Sequence, residues 1–171
     1  MPYILAILLC IAADQGVKYY VVSHLALYGH SPLIPGFIEL YYIQNTGGGF
    51  SILEGHTWVL TALTAVLMAG IAVLLVKKFF SHPLGMWSLT IILGGGLGNL
   101  IDRVRMGYVV DMFNFQFIHY PVFNVADILV VCGVIVFAAY YLFLFDKQTP
   151  ETAAKTEEGA DYGAEDPSNG Q

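Results

Sequence analysis

Residues 94–127 read GGGLGNLIDRVRMGYVVDMFNFQFIHYPVFNVAD, a stretch that leaves one apolar segment and returns into another. Among its lipid-soluble residues stand Asn99, Asp102, Arg103, Asp111, Asn124 and Asp127. An unpaired charge at membrane depth costs at least about 2.5–3.5 kcal/mol on insertion scales, so ionisable groups there turn inward and pair. The stretch marks where two spans end and begin, and it marks where chemistry can occur.

The bulk composition agrees with a bilayer setting. The chain is 57% hydrophobic and 12% charged, with a mean hydropathy of +0.66, where soluble domains carry roughly a quarter charged residues. Its net charge of -6 is concentrated after residue 145, in a segment poor in large apolar residues that cannot bury a core. Residues 147–171 are therefore expected to form a disordered, acidic, cytoplasmic tail. Nothing basic or repetitive points to nucleic acid. Cys10 and Cys132 lie in apolar runs without metal-site spacing, and His24, His30, His56, His82 and His119 are scattered at loops and span ends. No disulfide, metal or cofactor is expected.

Apolar runs at about 3–22, 57–76, 86–101 and 122–145 are read as four spans, since about 20 helical residues cross a hydrocarbon core of about 30 Å. Small residues at Ile11-Ala12-Ala13 allow a cleavable signal peptide as the rival for the first run, but no basic segment precedes it. Between spans one and two, Pro32, Pro35, Gly36 and Gly47 to Gly49 punctuate the β-prone run Phe37–Ile43. The expected fold is a mostly α membrane protein, four transmembrane helices with a small extracytoplasmic β-rich insert at 27–56, and a single membrane-embedded domain over residues 1–146. Lys77, Lys78 and Lys147 put the tight turn between spans two and three, and both termini, on the cytoplasmic side. The segment 102–120 then faces outward with Arg103 and Arg105 against the charge rule, for which the nearby carboxylates offer a local reason.

With that topology the polar residues converge at the outer membrane edge. Lys18 ends span one; Asn99, Asp102 and Arg103 end span three; Asn45 and Asp111 lie in outer segments; Asp127 sits about 8 Å into span four at about 1.5 Å per residue. Asp14 and Lys18 share a helix face, as do Asn99 with Asp102 and Arg103, and Asn124 with Asp127. Plainer readings compete. Asp14 with Lys18 suits a structural ion pair, Asn45 before the glycines suits a turn, the glycine run suits helix packing, and Asn99, Asp102 and Arg103 suit a capped helix end. Asp111 and Asp127 resist such readings: in one wet pocket, mutual repulsion raises one pKa so that the pair shares a proton.

These residues form five motifs that resemble those of the bacterial lipoprotein signal peptidases, the type II signal peptidase family. Asp14-Gln15 with Lys18 resembles the first; Asn45-Thr46-Gly47-Gly48-Gly49-Phe50 resembles N-x-G-x-x-F; Gly94 to Arg103 resembles G-G-x-x-G-N-x-x-D-R; Val109-Val110-Asp111 and Phe123-Asn124-Val125-Ala126-Asp127 resemble the two aspartate motifs. Met112 stands where Phe is commoner, and Gly48-Gly49 occupy variable places. The resemblance spans residues 3 to about 146. It implies an aspartyl endopeptidase in the bacterial cell membrane, acting near the outer leaflet on lipid-modified prolipoproteins, its other partner being membrane lipid, and cutting before the diacylglyceryl cysteine. It implies Asp111 and Asp127 as catalytic, Asn45, Gly95, Asn99, Arg103, Asn124 and Ala126 as lining residues, Asp14, Lys18 and Asp102 as structural support, and neither metal nor cofactor. A monomer is compatible with all of this. HExxH and GxSG are absent, and Asn99 stands where a GxGD protease has aspartate. A proton-coupled transporter would spread its polar residues through the membrane depth and repeat its segments, and a non-catalytic assembly protein would tolerate Asp→Asn at both positions.

Overall fold

The computed structural model describes residues 1–49 and 53–145; the expected acidic tail, and Phe50 of the N-x-G-x-x-F pattern, lie outside the described residues. The elements in order are α1 (Pro2–His24), β1 (His30–Ile34), β2 (Ile38–Asn45), α2 (Thr57–Val76), α3 (Pro83–Met106), β3 (Val109–Phe115) and α4 (Val125–Tyr140), with a π-helical turn at Tyr141–Phe145. The chain divides into two compact units, Met1–Phe137 and Ala138–Gln171. The first holds the sheet and every residue discussed below. In the second, the Tyr141 ring stacks on Phe145 with centroids 5.1 Å apart.

All four helical segments, Pro2–His24, Thr57–Val76, Pro83–Met106 and Val125–Phe145, are long and apolar enough to span a bilayer. The third is not the short span expected at 86–101. Pro83 sits at its first position, and the His82 side chain caps it by accepting from the Leu84 N–H at 3.1 Å. It ends only at Gly107, whose left-handed φ of 78° few other residues adopt and whose N–H donates to the Arg103 carbonyl. Asp102, Arg103 and Arg105 are thus helical. The fourth span starts at Val125, not Val122, so Asp127 lies in its first turn rather than about 8 Å along it.

Helix α3 is the hub. Its apolar stretch is 61% buried, against 17%, 6% and 11% for those of the other spans, because small residues admit all three neighbours. A Cβ on Gly94 would stand 2.6 Å from the Cys10 Cβ of α1, one on Gly96 would collide with the Met68 sulfur of α2, and one on Gly95 would stand 2.6 Å from the Ala126 carbonyl oxygen of α4. A backbone oxygen cannot swing aside, so Gly95→Ala is expected to destabilise by about 1–3 kcal/mol, read as a lower Tm in detergent. Gly70→Ala, with nothing within 4 Å of the new Cβ, serves as control; equal Tm values would mean that α3 and α4 pack less closely than described.

The insert supplies only two of the three strands. The antiparallel sheet runs β1-β2-β3, and its third strand comes from the outward-facing segment between α3 and α4, outside the expected insert. Val109 to Met112 is buried at every position, so the strand shows no clean polar–apolar alternation. Tyr42, Val110 and Met112 pack with Val21 of α1 in one apolar cluster, which holds the sheet against the helices. The β2–β3 register shifts between Leu40 and Ile43, and beyond it Asn45 pairs with Val109 while Ile43 pairs with Asp111. Asn45 and Asp111 thereby become diagonal neighbours on one face.

Candidate active site

Four carboxylates meet at this end of the helix bundle, and the chain treats them in two ways. Asp14 and Asp102 are 0% and 1% exposed, with Lys18, itself 3% exposed, between them. Its Nζ lies 2.8 Å from Asp14 Oδ2 and 2.8 Å from Asp102 Oδ2, and it donates to Asn99 Oδ1 at 2.9 Å. All three ammonium hydrogens are committed. The remaining acceptors are filled too: Asp14 Oδ1 accepts the Ala126 N–H at 2.9 Å, Asp102 Oδ2 the Val110 N–H at 3.3 Å and Asp102 Oδ1 the Gln15 amide at 2.8 Å. Buried charges persist only when so paired and bonded. The cluster ties α1 to α3, β3 and α4.

Asp111 and Asp127 have no cation in ion-pair contact among the described residues; their oxygens accept from neutral groups. Asp111 Oδ2 accepts from Asn45 Nδ2 at 2.8 Å and Oδ1 from Asn124 Nδ2 at 2.6 Å. Asp127 Oδ1 accepts from Asn99 Nδ2 at 2.8 Å and Oδ2 from the Asn124 N–H at 3.1 Å. Asn124 also accepts the Asp127 N–H at 2.9 Å, so the two residues cap the start of α4 reciprocally. Asn124 and Asn99 join through a 3.0 Å bond from Asn124 Nδ2 to Asn99 Oδ1, and this amide bridge runs from one aspartate to the other. Asn45 serves both as turn and as ligand: its Oδ1 accepts the Gly47 N–H at 2.9 Å, which leaves its NH2 for Asp111.

Lys18 also fixes which way the bridge points. An ammonium can only donate, so Asn99 must turn its oxygen to Lys18 and its NH2 to Asp127. Burial first, and the Asp127 charge second, push the Asp111 carboxyl up to about 7, against the bonds from Asn45 and Asn124 and the field of Lys18, which favour its ionised form.

Both aspartates border a cavity of about 220 Å³ whose other walls include Asn45, Gly48, Asn99, Arg103, Tyr120 and Phe123. Arg103 reaches in from α3 and donates to the Gly47 carbonyl at 3.3 Å, while its buried Nε has no hydrogen-bond partner among the described residues. Two further cavities adjoin it. A cleft of about 460 Å³ shares Asn45, Gly48 and Tyr120–Val122 and adds Glu54 and His119. An apolar hollow of about 200 Å³ shares Asp127, Tyr120, Phe123 and Val131 and adds Phe115, Ile128 and Cys132.

Two expected lining residues do not border the cavity. Gly95 and Ala126 meet beneath it at the α3–α4 crossing, and Ala126 is 0% exposed; the spacing that brings them together is a helix-packing pattern. Asn124 acts through Asp111 and Asp127 rather than as open wall. Gln15, which bridges Asp14, Asp102 and the Gly98 carbonyl, and Tyr120–Val122, which line the cavity, are not among the expected site residues; the place of Gln15 beside Asp14 is the one signal in the sequence.

The family model for signal peptidase II matches residues 6–143. The chain belongs to the signal peptidase II family. Lipoprotein signal peptidases of Streptococcus pyogenes serotypes M6 and M1 are each 42% identical to it over 137 residues, 78% of this chain and 88% of theirs. Two bacterial membrane enzymes solved by the in meso method, at 2.3 and 1.9 Å resolution, superpose with a TM-score of 0.76 each. The first, 23% identical, covers 96% of this chain and 94% of its own; the second, 26% identical, covers 84% and 94%. This signal peptidase II family member is thus a multi-pass membrane protease with the family's helical fold and small sheet.

Proposed function

We propose that this protease is a metal-independent aspartyl endopeptidase that removes the signal peptide from diacylglyceryl-modified prolipoproteins, cutting before the lipidated cysteine. One observation carries the reading. Of four converging carboxylates, Asp14 and Asp102 share the Lys18 ammonium as an ion-pair partner, while Asp111 and Asp127 are left to neutral donors beside a cavity. Such a pair supplies both a base and an acid, since one proton shared between them leaves one member of each kind.

In the mechanism, the ionised member takes a proton from a water, forming the bond from that oxygen to the scissile carbonyl carbon. The protonated member hydrogen-bonds the developing oxyanion. Collapse of the tetrahedral intermediate breaks the C–N bond, and the proton passes to the leaving amine of the cysteine. Asn45, Asn99 and Asn124 hold the two carboxylates, and the Nε of Arg103, without a partner among the described residues, is a donor for a substrate backbone carbonyl. The polar cleft beside Asn45 receives the chain after the cut, and the apolar hollow beside Asp127 receives groups arriving from lipid. Lys77 and Lys78 lie at the opposite ends of α2 and α3, so by the charge rule both termini are cytoplasmic and the site faces the outer leaflet.

The test is cleavage of a purified diacylglyceryl-prolipoprotein with the cut located by mass spectrometry. Cutting before the modified cysteine, undiminished by a chelator, is the expected result; loss of activity to the chelator, or cutting elsewhere, sinks the reading.

A pH dependence follows from Asp111. The reaction needs the shared proton, and with the Asp111 carboxyl at about 7 that proton is present below neutrality and lost as the pH rises through it. The alkaline limb of kcat/KM is expected near pH 7. Asn45→Ala removes a bond that favours the ionised form, so the limb should move to higher pH by up to about one unit, alongside a lower maximum. A limb unmoved, or moved to lower pH, would separate Asn45 from the titrating group.

A further inference from the structure

Arg105 is left unexplained by the site. Carboxylates were the expected reason for two arginines at this end of α3, but Arg103 and Arg105 lie two residues apart and turn different ways. Arg103 enters the cavity and meets the Gly47 carbonyl. Arg105 is exposed, and its guanidinium has no ion-pair or hydrogen-bond partner among the described residues. It borders a groove of about 380 Å³ between α1 and α3, on the side of α3 that Lys18 and Asp102 occupy. We propose that this groove binds an anionic phospholipid, the phosphate on Arg105 and an acyl chain along Tyr19, Val22 and Met106.

The geometry selects that occupant. Arg105 belongs to the last turn of α3, at the depth where a span meets the headgroups, and a guanidinium fork matches phosphate oxygens. Tyr19 is 76% exposed, Val22 46% and Met106 38%, a surface that only hydrocarbon would cover in a bilayer. The floor offers an anion nothing: the Lys18 ammonium is fully committed to Asp14, Asp102 and Asn99, and the Gln15 amide is engaged with Asp102. Among the described residues, Arg105 is therefore the one uncommitted cation lining the groove.

The same surroundings disfavour a free anion. Asp102 lines the same groove, and a soluble phosphate would have to be drawn out of water by one exposed arginine. A phospholipid is held at this depth by its chains, and its headgroup meets Arg105 without being drawn from solution. The proposal rests on the membrane-spanning fold and on this groove; it is independent of whether Asp111 and Asp127 cleave anything.

The experiment is native mass spectrometry of the delipidated full chain titrated with phosphatidylglycerol or phosphatidylcholine, on wild type, Arg105→Gln and Met106→Trp. The second variant fills the groove and keeps the charge. Wild type is expected to retain one more phosphatidylglycerol than either variant, with an apparent affinity about tenfold higher, and all three to retain phosphatidylcholine equally. Inorganic phosphate should not displace the retained lipid. Peptidase turnover in phosphatidylcholine bilayers should be unchanged in Arg105→Gln. Retention by Arg105→Gln equal to wild type, no preference of wild type for phosphatidylglycerol, or displacement by inorganic phosphate each overturns the site. If Arg105→Gln loses its fold, Met106→Trp decides alone: full retention there overturns the site as well.

Discussion

Asp111→Asn and Asp127→Asn should each lower cleavage of a diacylglyceryl-prolipoprotein by at least about 10³-fold, within the range that general acid–base groups contribute, while the protein remains folded. An amide cannot take the water's proton, and it cannot share one with its partner. Folding should survive because each substitution also removes a buried charge. In Asp111→Asn one new NH2 must face that of Asn45 or Asn124, which both donate to the carboxylate, a cost of about 1–3 kcal/mol offset by relief of repulsion with Asp127. In Asp127→Asn the start of α4 loses an anion from its first turn, about 0.3–1 kcal/mol. Turnover, with the Tm measured on the same preparations, checks both. Near-wild-type cleavage by either folded variant would remove that aspartate from the mechanism and revive a reading in which the polar cluster only assembles or transports.

Lys18→Met should be the most damaging change to stability. It leaves Asp14 and Asp102, 0% and 1% exposed, without their shared cation, and breaking a buried pair costs about 3–5 kcal/mol. No monodisperse folded protein is expected on size exclusion. Adding Asp14→Asn and Asp102→Asn to the same chain removes the stranded charges and should recover folded material. That triple variant should still cleave about 10- to 100-fold more slowly, because the Asn99 oxygen then keeps only the Asn124 amide to hold it away from Asp127. Lys18→Met alone with a wild-type Tm would show that the three charges are not coupled as their 2.8 Å contacts indicate. Folded but inactive dyad variants, against an unfolded cluster variant, would distinguish the two pairs of carboxylates by experiment.

Much of this was legible before any coordinate. The four spans follow from length and apolarity alone, and the bounds of the second match because nothing charged interrupts Thr57–Val76. The third was read too short because Asp102, Arg103 and Arg105 looked like an ending; the helix continues since its inward charges find partners across the bundle. Strand β3 was missed because Val109 to Met112 is buried on both faces, which erases the period-two pattern by which a strand is recognised. Gly95 and Ala126 stood in motifs beside the aspartates, yet they touch each other rather than the cavity. A motif gives spacing along the chain and not depth within the fold.

The sequence by itself determined that this is a membrane protein of four spans and a small sheet, that its polar residues gather at one end, and that its motifs are those of a peptidase family. Those are local properties of composition, periodicity and spacing, and each is written in consecutive residues. Only the tertiary structure decided which of four aspartates are paired and which are left to neutral amides, and which of two arginines enters the cavity. The contacts that decide it join Asp14 to Ala126, Lys18 to Asn99 and Asp102, and Asn45 to Asp111. The helix contacts form because the glycines of α3 let its neighbours approach closely enough for single hydrogen bonds to span the gaps, and the Asn45–Asp111 contact forms because the β2–β3 register makes them diagonal neighbours.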